Sequence, residues 1–505
     1  MIFTTPIYVI FFLIVFIARW LVPFCLRKFG VFKNKPIIDQ FIISFLLIFS
    51  LLFYSAWDSR FVLLLVWVSV VDFVCGQAIG RSFDPFRRKF FLWISLGNGL
   101  GVLSVFKYLN FFSENYHILA EFLGVEAHLP LLQVILPVGI SFYIFQSISY
   151  TVDVFRKEIE PESNYLHYLL FLSFFPQLVA GPIVTAKEFL PQIRNPKSFS
   201  EIPLAFGVFL ILLGALKKSV LADHLANTSD FAFSHPKDLS PSFLWWGVLS
   251  YAGQIYCDFS GYTDIAQGSA LILGFRLPEN FRMPYLAKGF SEFWTKWHMS
   301  LSGWLRSYLY IPLGGNRKGG FRTNFNLMVV MLLGGLWHGA SWNFVFWGGG
   351  HGLLLVMERL FFKRKENPSV GSAFNASFIF GYVVKLKLVL LQLFTFISVI
   401  LLWIFFRSPD FTVSLCYLQG LFSKNGIITI PHAIFLSTAW CLFALVAGHW
   451  IGQKYFKTNA EMEERLENLF RSEWKVIAFG ALFSLAFIAI VLLSAKGQPF
   501  VYFVF

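Results

Sequence analysis

Charge is scarce in this chain. Of its 505 residues only 14% are Asp, Glu, Lys or Arg, against roughly 25% in soluble proteins. Hydrophobic residues make up 57%, and Phe alone occurs 64 times beside 16 Trp and 18 Tyr. A water-soluble fold of this size cannot hide so much apolar and aromatic surface. A soluble, disordered or fibrous protein is therefore excluded, and a multi-spanning membrane protein is indicated. Cysteine is scarce too: Cys25, Cys75, Cys257, Cys416 and Cys441 form no C-x-x-C pair, which leaves buried free thiols as their reading. No G-x-S-x-G elbow occurs, and GGNRKGG (Gly314 to Gly320) lacks the G-K-[ST] of a phosphate-binding loop. H-E-x-x-H and H-x-x-E-H are absent, so no metal site is expected. There is no internal repeat, and no loop longer than about 30 residues leaves room for a soluble domain.

What is present is a series of apolar runs. A helix needs about 20 such residues to cross a bilayer. Runs begin near Pro6, Gln40, Phe61, Lys89, Leu131, Leu204, Leu244, Asn326, Trp347, Phe378, Ala433 and Val476. The first lacks a basic leader and a small-residue cleavage site and reads as a retained helix. Two more, Tyr165–Ile183 and Phe290–Pro312, have Lys/Arg-bearing loops on both sides and read as re-entrant or lying flat. The net charge of +13 sits in short loops, the mark of cytoplasmic segments facing anionic membrane lipid. No basic helix or RNA-type aromatic motif supports a nucleic-acid partner. Loops with Arg27 and Lys28, Arg87 and Arg88, Arg317 and Lys318, and Lys363 to Lys365 go inside; the loop with Glu114, Glu121 and Glu126 goes outside. The expectation is about 12 crossings with both termini outside. Lys385 and Lys387 are expected to snorkel from a helix whose core starts near Leu388. Lys454–Lys475 is expected to be a solvated surface helix.

Polarity at membrane depth costs free energy and marks candidate functional residues. One such stretch is Leu332 to Gly352. Read as a helix from Asn326 to Asn343, it puts His338 about 18 Å along the axis, near the midplane. Gly334, Gly335, Gly339 and Ala340 leave room for a backbone or a substrate beside the ring. His351, about 220° further round an ideal helix, is expected to be structural. A second stretch puts His298 in the re-entrant Phe290–Pro312, where it is expected to line a cavity. The third, Tyr251 to Ala270, carries Gln254, Asp258, Ser260, Tyr262, Asp264 and Gln267 in one apolar run. A neutral imidazole can take a proton from a hydroxyl, as acyl transfer to an alcohol requires.

Six segments in order bear a resemblance: LPVGISFYIFQSISY (Leu136–Tyr150), FFPQLVAGPI (Phe174–Ile183), YCDFSGYTDIAQG (Tyr256–Gly268), ENFRMPY (Glu279–Tyr285), FWTKWHMSLSGWLRSYLYIPLGGNR (Phe293–Arg317) and LWHGASWNFVFWG (Leu336–Gly348). They resemble the membrane-bound O-acyltransferase (MBOAT) family, above all its bacterial branch typified by the membrane subunit of alginate O-acetyltransferase. The teichoic-acid D-alanyl transferase is a close relative. The resemblance implies an all-α polytopic protein: about 11–13 transmembrane and re-entrant helices ringing a funnel that narrows at the W-H-G histidine. It implies one membrane domain over 1–505, with a motif-bearing core at about 131–360 and peripheral helices at 1–130 and 361–505.

The resemblance also implies roles. His338 matches the W-H-G histidine and His298 the second family histidine. The donor is an acyl-CoA such as acetyl-CoA, or an acyl-carrier thioester, with no tightly bound cofactor. The partner is an exported, periplasmic SGNH-type, hydrolase-like acyltransferase that completes O-acylation of a cell-surface polysaccharide. The site is the bacterial cytoplasmic (inner) membrane. Trp337, Asp258, Tyr262, Asp264, Arg306, Arg317 and Asn343 are the candidate substrate-binding residues. The tail GQPFVYFVF (Gly497 to Phe505) is similar to an aromatic C-terminal motif of this branch, with Tyr502 a candidate acyl relay or a mere interfacial anchor. Two alternatives stay open: a transporter or flippase for a lipid-linked saccharide, and D-alanyl transfer within the same family.

Overall fold

The computed structural model describes residues 3–29, 35–125, 135–361, 378–423, 426, 428–470 and 473–494. Among the described residues there is no β-strand; one isolated bridge pairs Leu239 with Ile428. The apolar runs carry the helices Pro6–Lys28, Lys35–Ser55, Arg60–Arg81, Pro85–Leu103, Ile140–Arg156, Leu204–Ala215, Pro241–Ile272, Gly319–His338, Trp342–Phe361, Phe378–Arg407, His432–Tyr455 and Glu473–Leu493; the start of the run expected from Leu131 lies outside the described residues. In hydrocarbon a helix is the conformation that satisfies each backbone group within its own segment. Among the described residues, eight stretches are long and apolar enough to cross a membrane. Two of these, Pro85–Phe122 and Leu204–Ser234, continue past their first helix through the π turns Ser104–Tyr108 and Leu216–Ala222. The protein is thus an all-α polytopic membrane protein. Lys385 and Lys387 are exposed, and Asn459–Phe470 forms the expected polar helix.

The described chain groups into two compact units. Met1–Lys218, Gly261–Pro278 and Arg465–Leu492 form one; Ser219–Ser260 and Glu279–Glu464 make up most of the other. In the first, Leu204–Ala215 lies against the Gly261–Ile272 half of its neighbour along a glycine seam. A Cβ on Gly268 would stand 2.5 Å from the Gly207 carbonyl oxygen, and one on Gly261 2.7 Å from that of Gly214. Helix backbones approach this closely where residues are small, and dispersion contacts then hold them without a hydrophobic drive. The same unit buries Asp72, which accepts a hydrogen bond from Ser147; Ser147 in turn pairs with Tyr168 at 2.8 Å.

In the second unit the dominant feature is a helical hairpin, and here the structure corrects the sequence reading. The helix starts at Gly319 and not near Asn326, and it ends at His338 instead of running on to Asn343. Arg322 and Asn324 look like loop residues in a hydropathy scan, yet they occupy the first turns of the helix. Gly339 is extended (φ −166°, ψ 150°), and the chain returns as Trp342–Phe361. The two arms touch backbone to backbone: a Cβ on Gly335 would meet the Phe344 oxygen at 2.2 Å, and one on Gly348 the Met331 oxygen at 2.3 Å. Phe378–Arg407 packs on the returning arm. Trp297, Trp347, Trp403 and Tyr417 are fully buried in the resulting core.

Candidate active site

His298 sits at a break. Phe290–Trp294 ends, the chain turns, and Met299–Leu305 begins with His298 as its N-cap at φ +44°, ψ 55°. A branched-free but bulky non-glycine residue in the left-handed region costs roughly 1–2 kcal/mol, so the surroundings must hold it there. They do so through ENFRMPY. Asn280 accepts Met299 N–H on its backbone oxygen at 2.9 Å. Its side-chain oxygen accepts the Ser300 N–H at 3.1 Å and the Ser300 hydroxyl at 2.7 Å. Arg282 N–H donates to the Lys296 oxygen at 3.0 Å. The imidazole itself is fully buried. Neither ring nitrogen has a hydrogen-bond partner among the described residues, although a buried polar atom normally finds one.

The ring is clad by aromatics. Phe259 meets it edge-on at 4.7 Å between centroids, and Trp337 at 6.0 Å. Trp337 also lies 4.9 Å from His338, so one indole stands next to both histidines. His338 closes its helix and contacts Trp347 and Phe406, each at 5.1 Å. Its burial, at 6% exposure, depends on the hairpin. The flanking glycines are occupied by protein: Gly335 faces the returning backbone, and a Cβ on Gly339 would meet the Phe344 ring at 2.1 Å. Of the two uses weighed for these small residues, backbone approach is the one the fold employs here.

His351 was placed off this face by a helical wheel, and the wheel fails because the helix breaks after His338. On the returning arm His351 reaches the same aromatic cluster, 4.9 Å from Trp347 and 5.0 Å from Trp294. It is fully buried, and both its ring nitrogens lack hydrogen-bond partners among the described residues. The signal that could have revealed it was the Gly339–Ser341 break followed by glycines at matching positions on the two arms.

The remaining candidates separate. Asp258 is buried and directly precedes Phe259, the neighbour of His298. Tyr262 and Asp264 belong to the other unit. There Tyr262 stacks on Phe3 at 4.3 Å, and Asp264 accepts a 2.6 Å ion pair from Lys217. Asn343 donates to the Ser408 oxygen at 2.9 Å and accepts from Ser414 at 3.3 Å, tying the start of its helix to the end of Phe378–Arg407. Arg306 and Arg317 are exposed. Arg317 and Lys318 project from a turn built on Gly314 at φ +107° and Gly315 at φ +55°. Asn326 fastens that turn by donating to the Leu313 and Gly315 oxygens at 3.3 and 3.0 Å. Tyr502 lies outside the described residues.

Buried imidazoles in an aromatic wall, one of them strained, suit proton transfer at a hydroxyl or a thioester carbonyl. The profile of the MBOAT, membrane-bound O-acyltransferase family matches residues 105–401, a span that contains both His298 and His338. A probable alginate O-acetylase of Pseudomonas putida is 36% identical over 480 residues, covering 91% of this chain and 94% of that protein. A peptidoglycan O-acetyltransferase of Helicobacter pylori is 34% identical over 453 residues, 85% of this chain and 81% of the relative. A teichoic acid D-alanyltransferase of Bacillus subtilis is 29% identical over 252 residues, 47% of this chain and 62% of the relative.

Proposed function

The chain belongs to the membrane-bound O-acyltransferase family, and on that premise we propose that it moves an acetyl or similarly short acyl group from a cytoplasmic thioester to O-acylate a cell-surface polysaccharide. The observation that carries this reading is the pair of buried histidines, His298 and His338, with Trp337 beside both. The acyl group is acetyl because the relatives matched along most of their length are named O-acetylating enzymes; the D-alanylating relative matches over 47% of this chain. The acceptor is a saccharide hydroxyl on the same grounds. The inner membrane of a bacterium is the setting.

In the transfer, His338 takes the acceptor proton as the hydroxyl oxygen attacks the thioester carbonyl. The carbon–oxygen bond forms, the carbon–sulfur bond breaks, and the departing thiolate takes the proton back from the imidazolium. His298 polarises or orients the donor carbonyl. The donor is acetyl-CoA or an acyl-carrier thioester, both anionic, and the exposed Arg317 and Lys318 attract it. An exported SGNH-type acyltransferase completes delivery to the polymer, with Tyr502 as a transient acyl acceptor whose phenol needs a base such as His338.

The test is incubation of the purified protein with labelled acetyl-CoA. Thioester cleavage with label captured on an acceptor is the expected result; an intact thioester under all acceptor conditions sinks the reading. Tyr502→Phe removes only the hydroxyl. Polymer acetylation is expected to stop in that variant while donor binding persists, and full acetylation would eliminate the relay.

A further inference from the structure

The loop that holds His298 is itself held. Glu279 opens the ENFRMPY segment and directly precedes Asn280, whose two oxygens bind Met299 and Ser300. The Glu279 carboxylate reaches in two directions. Its Oε2 accepts the Arg282 Nε–H, while the Arg282 backbone N–H donates to the Lys296 oxygen at 3.0 Å. Arg282 is thus bonded both to Glu279 and to the turn that leads into His298. The other oxygen, Oε1, accepts the Asn459 backbone N–H at 2.6 Å.

Asn459 is the first residue of the polar helix Asn459–Phe470. The first N–H groups of a helix have no partner within it, and a carboxylate placed there also meets the positive end of the helix dipole. The helix's own capping residues serve other groups: the Thr458 hydroxyl accepts the Glu461 N–H at 3.2 Å, and Glu461 accepts the Lys457 N–H at 3.1 Å. The Asn459 N–H is served by Glu279, 180 residues away in sequence. The Glu279 side chain is only 15% exposed, so this charge-assisted bond is shielded from the screening that weakens surface pairs. A segment whose charges suggest a plain solvated face is therefore tied, through one carboxylate, to the loop that braces His298.

The same loop has a second anchor. Met283, left-handed at φ +47°, sets its side chain into a notch on the His432–Tyr455 helix, where a Cβ on Gly452 would stand 1.9 Å from the Met283 Cε. Among the described residues three non-glycines have positive φ, and two of them are Met283 and His298. Such strain persists only where the surroundings over-determine it. We propose that Glu279 is a positioning residue for acyl transfer: by clamping the first N–H of the Asn459–Phe470 helix and the Arg282 guanidinium together, it keeps the loop rigid enough to hold His298 in its left-handed conformation beside Trp337. This rests on the reading of His298 as a residue of the transfer site.

Asn459→Pro deletes the N–H that Glu279 binds, and proline is well tolerated at the first position of a helix. Asn459→Ala keeps that N–H and controls for the side chain. The full-length variants, purified in detergent, are assayed with labelled acetyl-CoA and followed by hydrogen–deuterium exchange over residues 296–300. Asn459→Pro and Glu279→Ala should each lower kcat by about tenfold to a hundredfold, as a misplaced group does. The donor KM should stay within about twofold, and the unfolding midpoint should change little. The Met299 and Ser300 amides should exchange roughly tenfold faster in both variants. Asn459→Ala should lose far less on both counts, and Glu279→Gln, which keeps an oxygen for Asn459, should recover part of the rate. Asn459→Pro decides the matter if Glu279→Ala does not fold. Unchanged exchange at Met299 and Ser300, or a rate loss in Asn459→Pro no greater than in Asn459→Ala, overturns the assignment. A rate loss that only matches the loss of folded protein does the same. Wild-type transfer by His298→Ala would instead overturn the role given to His298, and the exchange measurement would still decide whether Glu279 holds the loop.

Discussion

Tyr165–Ser173 and Phe290–Trp294 are both short helices that stop inside the protein, and the chain treats the two breaks differently. At the first, the next helix Phe175–Leu178 follows at once, and the exposed backbone is paired off. Ser173 donates to the Leu169 oxygen at 2.7 Å and Gln177 to the Phe171 oxygen at 2.6 Å. Phe175 N–H donates to Ser50 at 3.3 Å, and no non-glycine residue there has positive φ. At the second, the break falls on His298, left-handed, with both ring nitrogens unsatisfied among the described residues. The first break keeps ordinary backbone angles, although Gln177 Oε1 is itself buried without a partner among the described residues. The second adds backbone strain to an unmet imidazole, which supports the proposal that His298 is held for a ligand.

That contrast can be broken by mutation. The largest effect belongs to the histidines: His298→Ala and His338→Ala should each cut acetyl transfer by about 10²–10⁴-fold, the usual cost of a lost acid–base group, with the unfolding midpoint in detergent little changed. Near-wild-type turnover in His338→Ala removes it from the chemistry. A loss of folded protein in His298→Ala that matches the loss of activity makes the second break as structural as the first. His298→Gly sharpens this further. Glycine accepts φ +44° without strain, so this variant should be about 1 kcal/mol more stable than His298→Ala and equally inactive. Next comes the first break: Gln177→Ala strands the Phe171 carbonyl and should cost about 1–3 kcal/mol in thermal unfolding while activity per folded molecule holds. A catalytic defect there without a stability defect would erase the distinction. The smallest effect is at the basic turn that ends the His298 segment. Arg317→Glu with Lys318→Glu should raise the donor KM roughly fivefold at low salt, less as salt screens the exposed charges. An equal rise for the acceptor would count against donor attraction.

Much of this was legible from hydropathy. The apolar runs contain helices over their described residues because length and apolarity together decide that outcome in a membrane, and Tyr165–Ile183 and Phe290–Pro312 are both broken into short helices. The site was legible where residues are chemically unusual for their surroundings, as with His298 and His338. It was not legible where a helix end had to be placed: the runs beginning near Asn326 and Trp347 are two helices, but the first stops at His338, short of Asn343. Nothing in a hydropathy profile marks the reversal after His338, since Gly339 and Ser341 are as acceptable in a helix as in a tight connection. That single ambiguity displaced His351 from the cluster. Polarity alone did not reveal partners: Asp264 and Asn343 stand out in apolar runs, and Lys217, Ser408 and Ser414 engage them. The seven-residue spacing of Gly207 with Gly214 and of Gly261 with Gly268 was visible in the sequence, but pairing them needed the fold.

The aromatic wall gives the molecule an optical property. Trp294, Trp347 and Trp403 form a chain of rings, with centroids 5.7 Å apart at the first step and 5.6 Å at the second. Trp297 lies 5.0 Å from Trp403, and Trp337 adjoins both histidines. Indoles locked this close at fixed angles exchange excitation, and an imidazolium beside them quenches their emission. Since 5 of the 16 tryptophans gather there, the near-ultraviolet circular dichroism and fluorescence of the unlabelled enzyme should respond to a group bound beside the histidines, so a stopped-flow trace could follow an acyl group's arrival without a reporter.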